Sequence, residues 1–323
     1  MDTYLVTGAA GFIGRSIAAE LLARGKTVRG IDNFVTGSRD NLRGLEAMDF
    51  IEADINDAAA VAQACRGVEC IFHEAAIPSV PRSIEDPVAS NHAGVSGTVQ
   101  LLVAAKNAKV RRVVYAGSSS VYGNTPTLPK SERMQPSPIS PYAAAKMAGE
   151  LYMQSFARVF GLETVVLRYF NVFGPFQDPT SQYSGVLAIW TLRMLAGEAV
   201  TIYGDGEQSR DFTFIQNVVH GNLLASEAPA ERVSGQVFNV ATGTRVTLNQ
   251  AVEIMSHATG YDGTVRYADE RRGDVKHSLA DISMAKERFG YEPLVDFREG
   301  IERTVAWYKT IAKASSLQAG SKL

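Results

Sequence analysis

The sequence predicts an α/β protein in which a doubly wound parallel sheet of the Rossmann type is followed by a smaller mixed α/β domain. Short apolar runs alternate with helical patterns through the first half of the chain, as in parallel sheets covered by helices on both faces. The first run, at residues 4–6, leads into a glycine-rich turn that opens an apolar-periodic helix. After about Arg168 the elements become shorter and mixed. We therefore predict one domain over residues 1–170 and a second over 171–323, with a ligand in the cleft between them.

The elements of the first domain follow from their apolar periodicity. Strands are predicted at residues 3–7, 27–31, 49–52, 70–73, 113–116 and 164–167. Helices are predicted to begin at Phe12, Asp57, Pro87 and Pro141. Pro141 fits a helix start because its missing N–H costs nothing there. The proline-rich, polar segment 124–140 predicts a surface loop.

The second domain is predicted to mix helices with short strands. Its predicted helices are 183–195, 247–258, 283–289 and 297–307, and its predicted strands are 200–203, 212–215 and 237–240. The last of these strands, near 236–240, is a candidate to return to the sheet of the first domain.

The glycine-rich turn predicts a dinucleotide site. Gly8 allows the tight turn, Gly11 lets the backbone approach a pyrophosphate, and Gly14 lets the helix pack against the strand. The helix that begins with Phe12 and Ile13 presents free N–H groups to a phosphate. A second apolar run ends in Asp32 and Asn33, about where an acid holds the adenosine ribose of NAD. A turn required only for packing is the alternative, and this acid argues against it.

Composition excludes several classes of function. A net charge of −2 predicts neither nucleic acid nor an anionic membrane surface as a partner. The only two cysteines, Cys65 and Cys70, suit reduced buried thiols and lack partners for a metal site. No apolar run is long enough to span a membrane. The first strand starts within a few residues of Met1, so we expect no signal peptide and a cytoplasmic location.

Three residues carry the predicted chemistry. Tyr142 and Lys146 are four residues apart, hence on one face of a helix. A nearby lysine charge, with that of an oxidised nicotinamide, favours the phenolate of a tyrosine that is otherwise a poor base. Ser118 follows the run that ends at Ala116, at the edge of the sheet where ligands bind. Separately they suggest a solvated helix face and a loop, but together on this fold they predict an active site.

These motifs closely resemble the extended short-chain dehydrogenase/reductase family, and within it the nucleotide-sugar 4-epimerases, from the glycine turn to about Trp307. The resemblance implies that Tyr142 is the acid/base, that Lys146 holds the cofactor ribose and tunes Tyr142, and that Ser118 contacts the substrate hydroxyl. It matches Asp54 to the family's adenine-side acid and the segment 73–76 to its strand-end motif. Further NAD contacts are implied at Ile55, Ala75, Ala76 and Phe170.

The residues after Ser118 favour simple oxidation and re-reduction. Related dehydratases carry Asp-Glu there and uronate decarboxylases carry a Glu at the second position, whereas this chain has Ser119 and Ser120. The resemblance therefore implies a 4-epimerase with tightly bound NAD that passes through a 4-keto sugar. The alternatives are a UDP-glucuronate decarboxylase, reductase or epimerase on the same scaffold, and a non-catalytic NAD-sensing regulator.

The resemblance also implies a UDP-sugar substrate. Arg210 and Arg271 match arginines that hold the diphosphate, Asn171 matches a residue that contacts the same group, and Asp274 looks like the ribose partner. Small Ser278 leaves room for an acetamido group, which implies UDP-N-acetylglucosamine, with UDP-glucose and UDP-galactose left open. The segment 175–179 lacks the arginine pair of uronate epimerases. Other implied substrate contacts are Ser79, Arg82, Ser119 and Tyr203.

Two further points come from the resemblance. It implies a homodimer formed through the helix of Tyr142 and the helix near residues 98–106. One position departs from the family pattern: Gly94 stands where the family usually carries an asparagine near the nicotinamide, and Asn91 lies one helical turn earlier.

Overall fold

The computed structural model describes residues 2–179, 185–270 and 276–320, with side chains as far as residue 311. Its centre is a seven-stranded parallel sheet in the order β3-β2-β1-β4-β5-β6-β11. The sheet strands are β1 Thr3–Thr7, β2 Thr27–Asp32, β3 Asp49–Glu52, β4 Val68–His73, β5 Arg112–Ser118, β6 Glu163–Tyr169 and β11 Gln236–Val240. Three two-stranded sheets pair β7 Val172–Phe173 with β10 Thr213–Phe214, β9 Ser209–Arg210 with β12 Val246–Thr247, and β8 Val200–Tyr203 with β13 Val265–Ala268.

Helices cover both faces of the main sheet and build the second half of the molecule. In the first half they are α1 Phe12–Ala23, α2 Ala58–Ala64, α3 Val80–Glu85, α4 Pro87–Asn91, α5 Gly97–Asn107 and α6 Pro141–Phe160. In the second half they are α7 Val186–Leu195, α8 Ile215–Glu227, α9 Ala230–Val233, α10 Leu248–Thr259, α11 Ser283–Phe289 and α12 Phe297–Gly320. In the described part of the chain, no helix is both long and apolar enough to cross a membrane.

Alternate residues of each sheet strand enter two different cores. Leu5, Ile71 and Val113 pack toward α2, α5 and α6, whereas Val6 and Phe72 pack toward α1 and α8. Strands buried on both faces are continuously apolar, which is why the sheet was predictable from sequence. The predicted doubly wound fold is confirmed, and the strand predicted at 237–240 joins this sheet beside β6.

Several predicted elements differ from the structure. The predicted strand 212–215 is only Thr213–Phe214, and α8 follows it directly. The predicted helix 297–307 continues to Gly320, since the sequence after residue 307 contains neither glycine nor proline until that residue. The helix predicted from residue 183 is described only from Val186, because residues 180–184 lie outside the described residues. Helix α3 was not predicted.

The helix predicted to begin at Pro87 is interrupted by a π-helical segment, His92–Ser96, between α4 and α5. Two small residues allow the close packing of this region. A Cβ on Gly94 would lie 3.2 Å from the Cβ of Ala145 on α6. A Cβ on Gly97 would lie 2.4 Å from Cγ2 of Ile55. The asparagine expected at residue 94 would therefore press against the helix that carries Tyr142 and Lys146.

Helix α6 is fixed at both ends and against the sheet. The Ser140 hydroxyl accepts a hydrogen bond from the N–H of Ala143 at 3.2 Å, and Gly161 ends the helix at φ 68°. One turn beyond Lys146, Glu150 forms a buried bidentate ion pair with Arg168 of β6 at 2.5 and 3.1 Å. This pair sets how α6 lies across the carboxyl edge of the sheet.

Candidate active site

A cleft of 1320 Å³ opens at the carboxyl edge of the main sheet. Ligands bind at this edge in doubly wound sheets. All the residues predicted from sequence to contact NAD line this one cleft, namely Gly8, Gly11, Phe12, Ile13, Gly14, Asp32, Asn33, Asp54, Ile55, Ala75, Ala76, Tyr142, Lys146 and Phe170.

The glycine turn lies too close to its neighbours for any side chain. A Cβ on Gly14 would lie 2.2 Å from the carbonyl oxygen of Gly8, and Gly8 itself has φ +67°. The N-terminus of α1 has no side-chain cap, so its N–H groups remain for an anion. Asp32 accepts hydrogen bonds from the N–H groups of Ala10 (3.0 Å) and Phe34 (2.7 Å), which holds the turn against β2. These features fit the pyrophosphate and ribose of a dinucleotide.

The adenine side of the cleft carries a small polar cluster. Asp54 accepts from Nδ2 of Asn33 at 2.6 Å and from the backbone and side-chain N–H groups of Asn56 at 2.7 and 2.9 Å. Burial acts to raise the pKa of Asp54, but these hydrogen bonds outweigh it and the pKa is lowered. Asn33 and Asp54, each expected separately to contact NAD, are therefore joined by a hydrogen bond at one place in the cleft.

His73 is a buried neutral histidine beneath the site. Burial, with the charge of Lys146, lowers its pKa to about 3. Nε2 lies 3.0 Å from Oγ1 of Thr98, and that hydroxyl donates to the carbonyl of Gly94 at 2.7 Å. Nε2 is therefore the donor, and Nδ1 accepts from the Thr7 hydroxyl at 2.8 Å. The ring ties β1 and β4 to the π-helical segment.

The predicted catalytic residues lie together. Ser118 ends β5, and its side chain lines the cleft together with Tyr142. Lys146 is buried, and its Nζ donates to the carbonyl of Ala116 at 2.8 Å. Burial lowers the pKa of Lys146 to about 8, with the charge of Glu74 opposing. Burial raises the pKa of Tyr142, against the hydrogen bond from Ser118. The lowering expected from Lys146 is not found, because burial and the charge of Glu74 raise the pKa of Tyr142.

Two residues of the site were missed by sequence reasoning. Ser120 donates its hydroxyl to Oγ of Ser118 at 2.8 Å, within a 3₁₀ turn that brings side chains two residues apart into contact. Glu74 lies half-buried beside Lys146, and Tyr169 donates to its Oε1 at 2.9 Å. The sequence signalled Glu74 only as part of a strand-end motif, and its position became clear only from the pairing of β4 with its neighbours.

Some of the residues predicted to contact the substrate line the cleft, and others do not. Ser79, Arg82, Ser119, Asn171, Arg210 and Ser278 line the same cleft as the catalytic residues. Tyr203 is 38% exposed on β8 and lies outside the cleft lining, so it is not placed with them. Its strand pairs with β13 instead. Arg271 and Asp274 lie outside the described residues.

Local structure positions two of these residues. The guanidinium of Arg210 donates to the carbonyls of Ser209 (3.0 Å) and Lys276 (3.2 Å), which orients it at the cleft. The N–H of Ser278 donates to the carbonyl of Ser209 at 2.9 Å, and Ser278 is 9% exposed. Within the described residues, no group of three or more His, Cys, Asp or Glu side chains could hold a metal ion.

A doubly wound sheet that carries a glycine turn, a serine after β5 and a Tyr-x-x-x-Lys helix around one cleft defines an extended short-chain dehydrogenase/reductase. The model of the NAD dependent epimerase/dehydratase family matches residues 4–241. The chain belongs to this family, and it is an NAD-dependent enzyme.

Similar proteins span nearly the whole chain. The UDP-glucose 4-epimerase of Mycolicibacterium smegmatis is 40% identical over 310 residues, which cover 94% of this chain and 98% of that protein. The crystal structure of the Thermotoga maritima UDP-glucose 4-epimerase with UDP-glucose is 38% identical with a TM-score of 0.91, covering 96% and 99%. The solved structure of the Methanobrevibacter ruminantium UDP-N-acetylglucosamine 4-epimerase in complex with UDP-N-acetylmuramic acid has a TM-score of 0.91 and 39% sequence identity. The match covers 96% of this chain and 98% of that one.

Proposed function

We propose that the protein interconverts the 4-epimers of a UDP-hexose, with UDP-N-acetylglucosamine and UDP-N-acetylgalactosamine as the preferred pair. UDP-glucose and UDP-galactose are the second candidate pair. The observation that carries the proposal is the grouping of Ser118, Tyr142 and buried Lys146 in one cleft that also holds the glycine turn. The similar proteins that act on UDP-sugars support the same reaction class.

The residues of the cleft supply a proton path and a fixed geometry. NAD would be held by the glycine turn and Asp32 and would supply the hydride-transfer chemistry at C4 of the sugar. Tyr142 takes the proton of the 4-hydroxyl as the C4–H bond breaks and gives it back on return. Ser118, itself oriented by Ser120, holds that hydroxyl within hydrogen-bond reach of Tyr142. Lys146 would hold a cofactor hydroxyl, and it places a positive charge in the same cleft as the phenol.

The side chains after Ser118 support epimerisation over the related reactions. Neither Ser119 nor Ser120 can act as a carboxylate acid or base, which the loss of water or carbon dioxide would require. The Ser120 hydroxyl is instead engaged with Ser118 at 2.8 Å. A non-catalytic NAD-sensing regulator has no need of such an arrangement, since its function requires no proton transfer.

The lining of the cleft supports an N-acetylated sugar. Ser278 is a small, nearly buried residue of this lining, and it leaves room beside the sugar. Ser79 and Arg82 lie in the same cleft at the start of α3, where the hydroxyl of Ser79 caps the helix through the N–H of Arg82 at 3.2 Å.

Ser278→Tyr is expected to lower kcat/KM for UDP-N-acetylglucosamine at least about tenfold more than for UDP-glucose. A phenol ring fills the space that the acetamido group needs, and such steric exclusion costs roughly 1–3 kcal/mol. Steady-state kinetics on both substrates with the same preparation measure the ratio, so each sugar controls for the other. Equal losses on the two sugars would reject Ser278 as the specificity residue.

The reaction itself is tested by incubating the purified protein separately with UDP-N-acetylglucosamine, UDP-glucose and UDP-glucuronate. Products are separated by chromatography, with and without added NAD. We expect the axial 4-epimer from the first substrate, with slower conversion of the second. Failure of all three with NAD supplied contradicts the proposal, and conversion of UDP-glucuronate alone moves the assignment to the uronate enzyme.

We also propose that the protein is a homodimer joined through α5 and α6. These helices present large apolar side chains to solvent, including Val103, Leu151, Tyr152, Val159 and Phe160. Exposed apolar patches of this kind mark association surfaces. Leu151→Glu is expected to convert a dimer into monomers in analytical ultracentrifugation. A wild-type protein that sediments as one chain at all concentrations would exclude this pairing.

A further inference from the structure

We propose that Glu74 is a positioning residue of the active site, acting as the counter-charge that sets the protonation of Lys146 and Tyr142. The role rests on the proposed epimerase reaction, because only a proton-transferring site needs these two groups tuned together. Glu74 contributes to the lining of the same cleft as both, yet the reaction described above gives it no task.

The carboxylate of Glu74 is held in place from the far side of the sheet. Oε1 accepts a hydrogen bond from the Tyr169 hydroxyl at 2.9 Å. That hydroxyl in turn accepts from Nδ2 of buried Asn222, on α8, at 2.8 Å. Each group is fixed by the next, so the charge has a defined position at the carboxyl edge of β4.

Strand register brings this carboxylate level with the Lys146 amine. His73 of β4 pairs with Tyr115 of β5, so Glu74 and Ala116 follow at the same level of the edge. The carbonyl of Ala116 accepts the hydrogen bond from Nζ of Lys146 at 2.8 Å. The acid and the amine therefore approach one point of the cleft, the amine from α6 and the acid from β4.

Among the described residues, Glu74 is the negatively charged group that acts on Lys146. Tyr142 and Lys146 face it from α6, Tyr169 from β6, Tyr115 from β5 and neutral His73 from its own strand. Burial raises the pKa of Glu74 to about 7, with the Tyr169 hydrogen bond and the Lys146 charge opposing. Burial lowers the pKa of Lys146 to about 8, and Glu74 opposes this.

The charge of Glu74 shifts the pKa of Tyr142 and the pKa of Lys146 in the same direction. A negative charge disfavours the phenolate and favours the ammonium, so it raises the pKa of Tyr142 and of Lys146. Removing it lowers both values together. The ascending and descending limbs of the pH profile should then both move to lower pH. The difference grows as the pH rises through about 7, the pKa of Glu74, because only the ionised carboxylate carries the charge.

Two substitutions separate charge from shape. Glu74→Gln keeps the size and can still accept from the Tyr169 hydroxyl, but it removes the charge. Glu74→Asp keeps the charge but is too short to keep that hydrogen bond. We expect Glu74→Gln to shift the pH profile of kcat/KM by about one unit toward acid, and Glu74→Asp to leave it near the wild type. Glu253→Gln, at an exposed site on α10, is the matched control and should not move it.

A second readout needs no turnover. The ultraviolet absorbance of the phenolate is titrated in each protein and in its Tyr142→Phe counterpart, and the difference isolates Tyr142. Glu74→Gln is expected to lower that titration midpoint, and Glu74→Asp to preserve it. The proposal is overturned if the midpoint is the same in the wild type and Glu74→Gln, or if only Glu74→Asp changes it. Because this titration uses no sugar, it tests the role of Glu74 even where the epimerase assay fails.

Discussion

Replacing Tyr142 with phenylalanine is expected to lower kcat for 4-epimerisation by about 10³-fold, in line with the loss of a positioned general acid/base. The phenol lines the cleft together with Ser118 and Lys146, and phenylalanine keeps its packing but cannot carry the proton. Steady-state kinetics with product analysis measure kcat. Fluorescence titration with NADH should show cofactor binding within a few fold of the wild type.

Tyr261→Phe is the matched control for this prediction. Its hydroxyl donates only to the carbonyl of Thr264 at 2.9 Å, near the surface and away from the cleft. The same chemical change there should leave kcat unchanged. Wild-type turnover by the Tyr142→Phe protein would remove the basis of the proposed proton path.

Arg112→Met is expected to reduce the free energy of unfolding by about 3–5 kcal/mol, because it removes a buried guanidinium and leaves carbonyls at the end of α8 without their charged donor. Arg112 is 1% exposed at the start of β5 and pairs with Glu163 of β6 at 2.6 Å. The same guanidinium also caps the carboxyl end of α8, where it donates to the carbonyls of Ala225, Ser226 and Ala228 at 2.8, 3.0 and 2.7 Å. Equilibrium unfolding in urea measures the loss.

Arg24→Met supplies the comparison, since its ion pair with Glu20 lies on the surface of α1. Exposed pairs of this type contribute roughly 0–1 kcal/mol. If Arg112→Met lost equally little free energy of unfolding, the carbonyls at the end of α8 would have found other donors. Arg112 would then not be the residue that joins this helix to the sheet.

The parts of the fold that could be predicted are those with local signals. The central strands β1, β4, β5 and β6 each contain an uninterrupted apolar run, and the glycine turn has the spacing of a dinucleotide site. Helix α8 could not be predicted, because Asn217, Gly221 and Asn222 suggest a loop. Each serves a distant partner: Asn217 bonds the backbone of residues 294–295, Asn222 bonds Tyr169, and Gly221 lies against Tyr291. Contacts with residues so distant in sequence cannot be predicted from local periodicity.

The candidate site likewise contains residues that local sequence predicts and residues whose positions depend on distant parts of the chain. The positions of Tyr142 and Lys146 follow from helical spacing, and the strand end predicts that of Ser118. The tasks of Ser120 and Glu74 depend on a 3₁₀ turn and on the register of three strands, which periodicity does not determine. The π-helical segment likewise depends on the packing of Gly94 and Gly97 against other elements.

The position of β11 has a consequence for any attempt to divide the molecule. This strand completes the main sheet beside β6, but it is synthesised only after four of the six strands of the smaller sheets. A fragment ending near residue 170 would leave the backbone of β6 as an open border, ready to pair with another chain and aggregate. It would also lack the helix end that receives the Arg112 guanidinium. The main sheet is therefore completed only by residues from the second half of the chain, so the protein should be expressed and studied as one piece.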